Sequence, residues 1–191
     1  NIATKGTPIP LGSAATNLQP ATYDAPPAAR SLEAGAILLG KTTMPDLGML
    51  SSGLSSFHKL TSNPWNPEWN PGGSSAGAAA AAAAGYGPLH VGTDIGGSLR
   101  LPAAWTATVS LKPSNGRVAI NPPFIGRVAG PMTRTVGDNA LFMSVLAQFD
   151  RQDFMALPPA TIDWTLVNNI RIDGLRIGLH LDANAGMPVE K

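Results

Sequence analysis

Two serines each follow a glycine pair, in Gly72-Gly73-Ser74 and Gly96-Gly97-Ser98. Glycines ahead of a hydroxyl let a substrate approach the backbone closely and let successive N–H groups converge on one point. The N–H groups of Ile95, Gly96, Gly97 and Ser98 stand where the pattern opens a short helix, an arrangement suited to the oxyanion of an acyl-transfer intermediate. A serine nucleophile needs a base. No His lies in either motif, and Asp94 stands too early in its turn and is expected to brace it, which leaves lysine. Lys41 is expected at the end of a buried strand, where desolvation favours the neutral amine that accepts a proton. A Ser with a Lys is one variant of the paired nucleophile and base.

These residues need a folded scaffold, and the composition provides one. The chain has 191 residues, a formal charge of +1 from 13 Lys+Arg against 12 Asp+Glu, and 43% hydrophobic residues, enough for one domain with a core. Near-neutral charge without a basic run argues against a nucleic-acid or anionic-lipid surface, because such binding neutralises many phosphates. Small neutral ligands fit better. With no Cys there is no disulfide, thiolate metal site or cysteine nucleophile, and the redox compartment stays open. His58, His90 and His180 share no ligand spacing, so they are read as structural or surface residues and not as metal ligands. With no apolar run of membrane-span length and no signal-peptide pattern at the start, the expectation is a soluble, cytoplasmic protein.

Along the chain, residues 1–24 read as an extended, turn-rich opening segment. A helix is expected over residues 26–34, with Pro26 and Pro27 in its first turn and Gly35 ending it. Ala36 to Leu39 reads as a short strand buried on both faces, delivering Lys41 at its end. Residues 51–73 read as a long ordered loop in which Trp65 and Trp69 pack. The seven alanines 78–84 form a helix without an amphipathic stripe, which must pack closely on all sides before stopping at Gly85. Strands are expected at Leu89 to Val91, Val109 to Leu111 and Leu175 to Leu179. Helices are expected over residues 98–104 and 134–148, the second opened by a capping box of Thr135 and Asp138. Strand and helix signals alternate, which makes the class α/β. The two glycine-rich turns sit where a strand feeds a helix, the place where such sheets bind ligands.

Several blocks agree with one family in identity and order. Gly72-Gly73-Ser74-Ser75-Ala76-Gly77, then Gly92-Thr93-Asp94-Ile95-Gly96-Gly97-Ser98-Leu99-Arg100-Leu101-Pro102-Ala103, closely resemble the signature of the amidase signature family. Ala34 to Met44 resembles its lysine segment, Asn63-Pro64-Trp65-Asn66 the loop before the first serine, and Gly130 to Val136 a later core segment. The resemblance covers roughly residues 1–153. It implies an α/β/α sandwich with a central mixed β-sheet covered by helices, and a Ser-Ser-Lys triad acting on an amide. In that reading Ser98 forms the acyl-enzyme, Ser74 bridges after a cis Gly73–Ser74 peptide, Lys41 is the base, and Ser75, Asp94 and Arg100 support the triad. No cofactor is called for.

There are departures from the family pattern. Ala76, Ala107 and Ser110 stand where the family commonly has Gly, and Ser114 stands where Thr is usual. Family members also run to several hundred residues. The resemblance therefore implies a single domain, 1–191, incomplete at both termini, with residues 154–191 a variable segment leading into a missing half. Exposed surface would then favour a homodimer or a partner subunit, and activity of these residues alone is expected to be weak or absent. Two other readings stay open. One is an amidase-like subunit of an ammonia-transferring complex, or a truncated inactive module. The other is a penicillin-binding or β-lactamase-like enzyme using Ser56 and Lys59 of Ser56-Phe57-His58-Lys59, although that motif needs a helix start. Neither glycine-rich segment has the pattern of a nucleotide-binding loop.

Overall fold

The computed structural model describes residues 1–169 and 171–179. In chain order its elements are α1 (Pro26–Glu33), a 3₁₀ turn (Asp46–Gly48), α2 (Ala76–Ala83), β1 (His90–Asp94), α3 (Arg100–Thr106), β2 (Val109–Ser110), β3 (Val128–Thr133), α4 (Val136–Leu146) and a second 3₁₀ turn (Trp164–Asn168).

β3 is the axis of the molecule. It lies between β1 and β2, antiparallel to both, with Asp94 opposite Val128, His90 opposite Met132, and Val109 opposite Thr133. All six of its residues are buried. Because strand side chains alternate, Val128 and Met132 face one way, into a core with Ala78 and Ala79 of α2 and Leu99 and Ala103 at α3. Ala129 faces the other way, into a second core with Val118, Ile120 and Phe142, Met143 and Leu146 of α4. The result is two helices, a sheet and a further helix in layers, the α/β arrangement expected.

Each helix follows from its local sequence. α1 opens on Pro26 and Pro27, whose missing N–H groups cost nothing in a first turn. Half of the expected capping box forms at α4: Thr135 Oγ1 accepts from Asp138 N at 3.0 Å, while Asp138 Oδ2 accepts from the Thr135 hydroxyl at 2.7 Å and not from its backbone N–H. In α2, Ala76, Gly77, Ala78, Ala79 and Ala82 are buried and Ala80, Ala81 and Ala83 partly so. Small side chains allow that approach: a Cβ on Gly77 would run into the backbone of Thr43.

Three expected strands differ. Residues 36–39 form no strand and no buried run: Ile37 is 85% and Leu39 80% exposed. Among the described residues no strand lies alongside to pair with this segment, and a short apolar run buries itself only where a neighbour covers it. Leu175 to Leu179 likewise forms no strand and is exposed. The strand expected at Leu89 to Val91 runs later, as His90–Asp94, and so reaches the glycine-rich turn directly. Residues 180–191, with His180 and the end of the variable segment, lie outside the described residues.

Candidate active site

β1 ends at Asp94, and the chain turns through Ile95, Gly96 and Gly97 before α3 begins at Arg100. Asp94 organises that turn. Its side chain is wholly buried, yet it is paired at every side: Oδ1 accepts from Gly97 N at 2.9 Å and from Arg100 Nη2 at 2.9 Å. Oδ2 accepts from Leu99 N and from Arg100 Nε, both at 3.0 Å. A buried carboxylate without partners would be costly, and these charge-assisted bonds supply them. Burial by itself would raise the Asp94 carboxyl; the Arg100 fork, the two backbone N–H groups and the Arg100 charge outweigh it and hold its pKa at about 2.

The four N–H groups expected as oxyanion donors differ in their present partners. Gly97 N–H is spent on Asp94, whereas among the described residues the N–H groups of Ile95, Gly96 and Ser98 have no protein acceptor. Ile95 and Gly96 are exposed and Ser98 is half-buried, so the open donors flank a hydroxyl that solvent can reach.

The first serine turn packs directly against the second. Ser75 N donates to Ser98 O at 3.3 Å. Ser75 Oγ donates to Thr93 O at 3.2 Å and accepts from Thr93 N at 3.1 Å, stitching the start of α2 to β1. Ser74 is buried at this junction, and the Gly73–Ser74 peptide is cis. The glycines are steric requirements: a Cβ on Gly73 would lie 2.5 Å from Ser52 N, and one on Gly92 would lie 2.7 Å from both Ser75 Oγ and Leu99 Cδ2.

Lys41 is placed otherwise than expected. The residue is exposed, because the segment before it is not covered, and Nζ donates to Pro8 O at 3.0 Å. Among the described residues no hydrogen bond joins Lys41 Nζ, Ser74 Oγ and Ser98 Oγ to one another. The segment nevertheless runs to the right place: Thr43 O accepts from Gly77 N, at 3.1 Å, in the first turn of α2. Partial desolvation lowers the pKa of the Lys41 ammonium below the ordinary lysine value.

The Ser56 and Lys59 alternative fails on geometry. Residues 56–58 form bends, neither they nor Lys59 lie at a helix start, and Ser56 Oγ donates to Asp46 Oδ1 while accepting from Ala14 N. The missed residues near the site are Asn63 and Asn70, whose side chains hold the loop before Ser74. The Asn and Pro of that loop announced a turn, but not which carbonyl each amide would find.

A buried serine, a second serine beside open N–H groups and a carboxylate-braced turn thus meet on one α/β scaffold. The family model described as Amidase matches residues 1–190, and the chain belongs to that family. It is 39% identical to the A subunit of the glutamyl-tRNA(Gln) amidotransferase of Nitrosococcus oceani, over 98% of this chain and 41% of that protein. The crystal structure of a bacterial aryl acylamidase of the amidase signature family superposes with a TM-score of 0.78 at 39% identity, covering 85% of this chain and 35% of that one. The A subunit of the corresponding amidotransferase of Thermotoga maritima superposes with a TM-score of 0.77 at 33% identity, covering 83% and 36%. The chain thus spans about two fifths of the length of the curated relatives it matches. No helix among the described residues is long and apolar enough to cross a membrane.

Proposed function

We propose that the protein hydrolyses the C–N bond of a carboxylic amide through an acyl-enzyme on Ser98. The observation that carries the reading is the turn after β1, where Asp94 and Arg100 fix Gly97 and Leu99 and leave the N–H groups of Ile95, Gly96 and Ser98 open around the proposed nucleophile. Ser98 Oγ attacks the amide carbon as its proton passes to Ser74 Oγ, whose own proton passes to the neutral Lys41 amine. The tetrahedral oxyanion is held by the open N–H groups, which act where charge develops. Collapse expels the nitrogen, which receives a proton back along the relay and leaves as an amine or ammonia. Water then attacks the ester, its proton taken by the same path, and releases the acid and free Ser98. This role requires Lys41 Nζ to leave Pro8 O for Ser74 Oγ.

The test is hydrolysis of an aryl acyl amide by the full-length protein and by its Ser98→Ala variant. Loss of turnover with Ser98→Ala supports the reading, and retained turnover rejects it. A second reading is favoured by the 39% identity to the amidotransferase relative: here the ammonia is passed to a partner's site instead of water. Copurification with a stoichiometric partner, and amide turnover that depends on it, would support that reading over free hydrolysis. The amide itself, the partner and a cytoplasmic location belong to this proposal.

A further inference from the structure

We infer that Asn63 and Trp65 are positioning residues that latch the loop bearing Ser74 to the far end of the helix that follows Ser98. The inference rests on the roles given above to the two serines. Their turns meet at three levels. At the near end Ser75 N donates to Ser98 O. In the middle, a Cβ on Gly72 would lie 2.6 Å from Pro102 Cα, so the backbone of the first turn lies directly on α3. At the far end the contact is made by side chains.

Asn63 is 2% exposed, and its amide is fully used. Nδ2 donates to Trp105 O at 2.8 Å and to Asn70 O at 3.4 Å, while Oδ1 accepts from Trp65 N at 3.1 Å. Trp65 Nε1 donates to Thr106 O at 2.7 Å. Trp105 and Thr106 close α3, where carbonyls have no partner inside the helix and need one from outside. The latch also reaches forward. Asn70, whose carbonyl Asn63 holds, accepts from Gly72 N through Oδ1 at 2.9 Å, two residues before Ser74. A short chain of bonds therefore runs from the C-terminal end of α3, through Asn63 and Asn70, to Gly72.

Other bonds tie the loop to itself and to its base, Asn63 N donating to Trp69 O at 3.0 Å and Asn70 Nδ2 to Ser51 O at 3.1 Å, but those from Asn63 and Trp65 side chains are the ones that reach α3. The rings of Trp65 and Trp69 are both largely exposed, so apolar burial contributes little, and directional hydrogen bonds set where the turn lies. One end of α3 is fixed by Asp94 beside the proposed nucleophile. The other is fixed by Asn63 and Trp65, which are continuous with the proposed bridge. Releasing the latch lets the two serines shift relative to each other.

The experiment is inactivation of the full-length protein by a fluorophosphonate, with the rate per reactive site and the probe's half-saturation measured separately. Variants are Trp65→Phe, which removes one N–H and keeps a ring, and Asn63→Ala, with peptide mapping and Ser98→Ala as the reference. The expected result is a fall of about 10-fold or more in the maximal rate per site, as small misplacements of reacting groups produce, with half-saturation nearly unchanged. A purely structural role would lower the melting temperature and the fraction of protein that labels, leaving the rate per site at the wild-type value; that result overturns the inference. Should Asn63→Ala fail to fold, Trp65→Phe decides alone. An adduct that persists in Ser98→Ala removes the proposed nucleophile itself, and is distinguished from failure of the latch by the mapped site.

Discussion

At the residue scale, the site is governed by one buried carboxylate. Asp94 has its pKa held at about 2 against an ordinary 3.8, so it contributes stability that is present above pH 3.8 and lost as pH falls toward 2. The corresponding stabilisation is about 2 kcal/mol at neutral pH. Asp94→Asn keeps the shape and removes the charge; denaturant unfolding should show a loss of roughly that size at pH 7 that shrinks as the pH is lowered through this window. Lys41 gives the second pH signature. Its pKa is lowered by desolvation and its proposed role needs the neutral amine, so reaction at Ser98 should rise with pH through an apparent pKa below 10.5. A pH–rate profile of fluorophosphonate labelling checks this; a flat profile would remove Lys41 as the base. Glycine pairs before both serines, and Asp94 as a brace, were legible from residue types alone. That Gly97 N–H is consumed by Asp94 was not, because which backbone donor a carboxylate captures depends on the turn's three-dimensional path.

At the element scale, local signals succeeded where one segment contains its own cause. The prolines of α1, the alanines of α2 and the Thr135–Asp138 pair of α4 act within a single helix, and each helix forms within two residues or so of its expected place. β3 was not legible as a strand. Gly130 and Pro131 both argue against a central strand, since Pro cannot donate to the ladder and Gly weakens it. Tertiary packing overrides them: Leu111 N donates to Pro131 O, a Cβ on Gly130 would meet Leu99 Cδ1 at 2.9 Å, and Asn139 of α4 donates to Pro131 O. The opposite error at Ala36 to Leu39 has the same origin, an apolar run whose burial depends on a neighbour. Ala107, where the amidase family commonly has Gly, now has a physical meaning. It ends α3 at φ +54°, a left-handed conformation in which a Cβ costs about 1 kcal/mol. Ala107→Gly should therefore raise stability by roughly 0.5–1 kcal/mol, read as a higher thermal midpoint; a lower midpoint would mean that the Ala methyl packs usefully.

At the scale of the whole molecule, two small cores share β3 while much apolar surface stays open. Ile37, Leu39, Ile125 and Phe154 are each at least 80% exposed, on segments distant in sequence. Such surface on an isolated chain favours association. These 191 residues expressed alone should bind a hydrophobic dye and elute as oligomers at micromolar concentration. A monodisperse, dye-free monomer would show that the open residues do not form a continuous face. The layered class was legible from the alternation of strand and helix signals; the antiparallel order β1-β3-β2 was not, since pairing partners are set by contacts far apart in the chain.

The central claim is that Ser98 is a nucleophile activated through Ser74 by Lys41. Its most direct test is intact-mass labelling of the full-length protein and its Lys41→Ala variant with a fluorophosphonate, followed by peptide mapping. The account predicts a single adduct on Ser98 that is abolished or greatly slowed by Lys41→Ala. An adduct on another serine such as Ser56, or labelling of Ser98 at the same rate without Lys41, would contradict it.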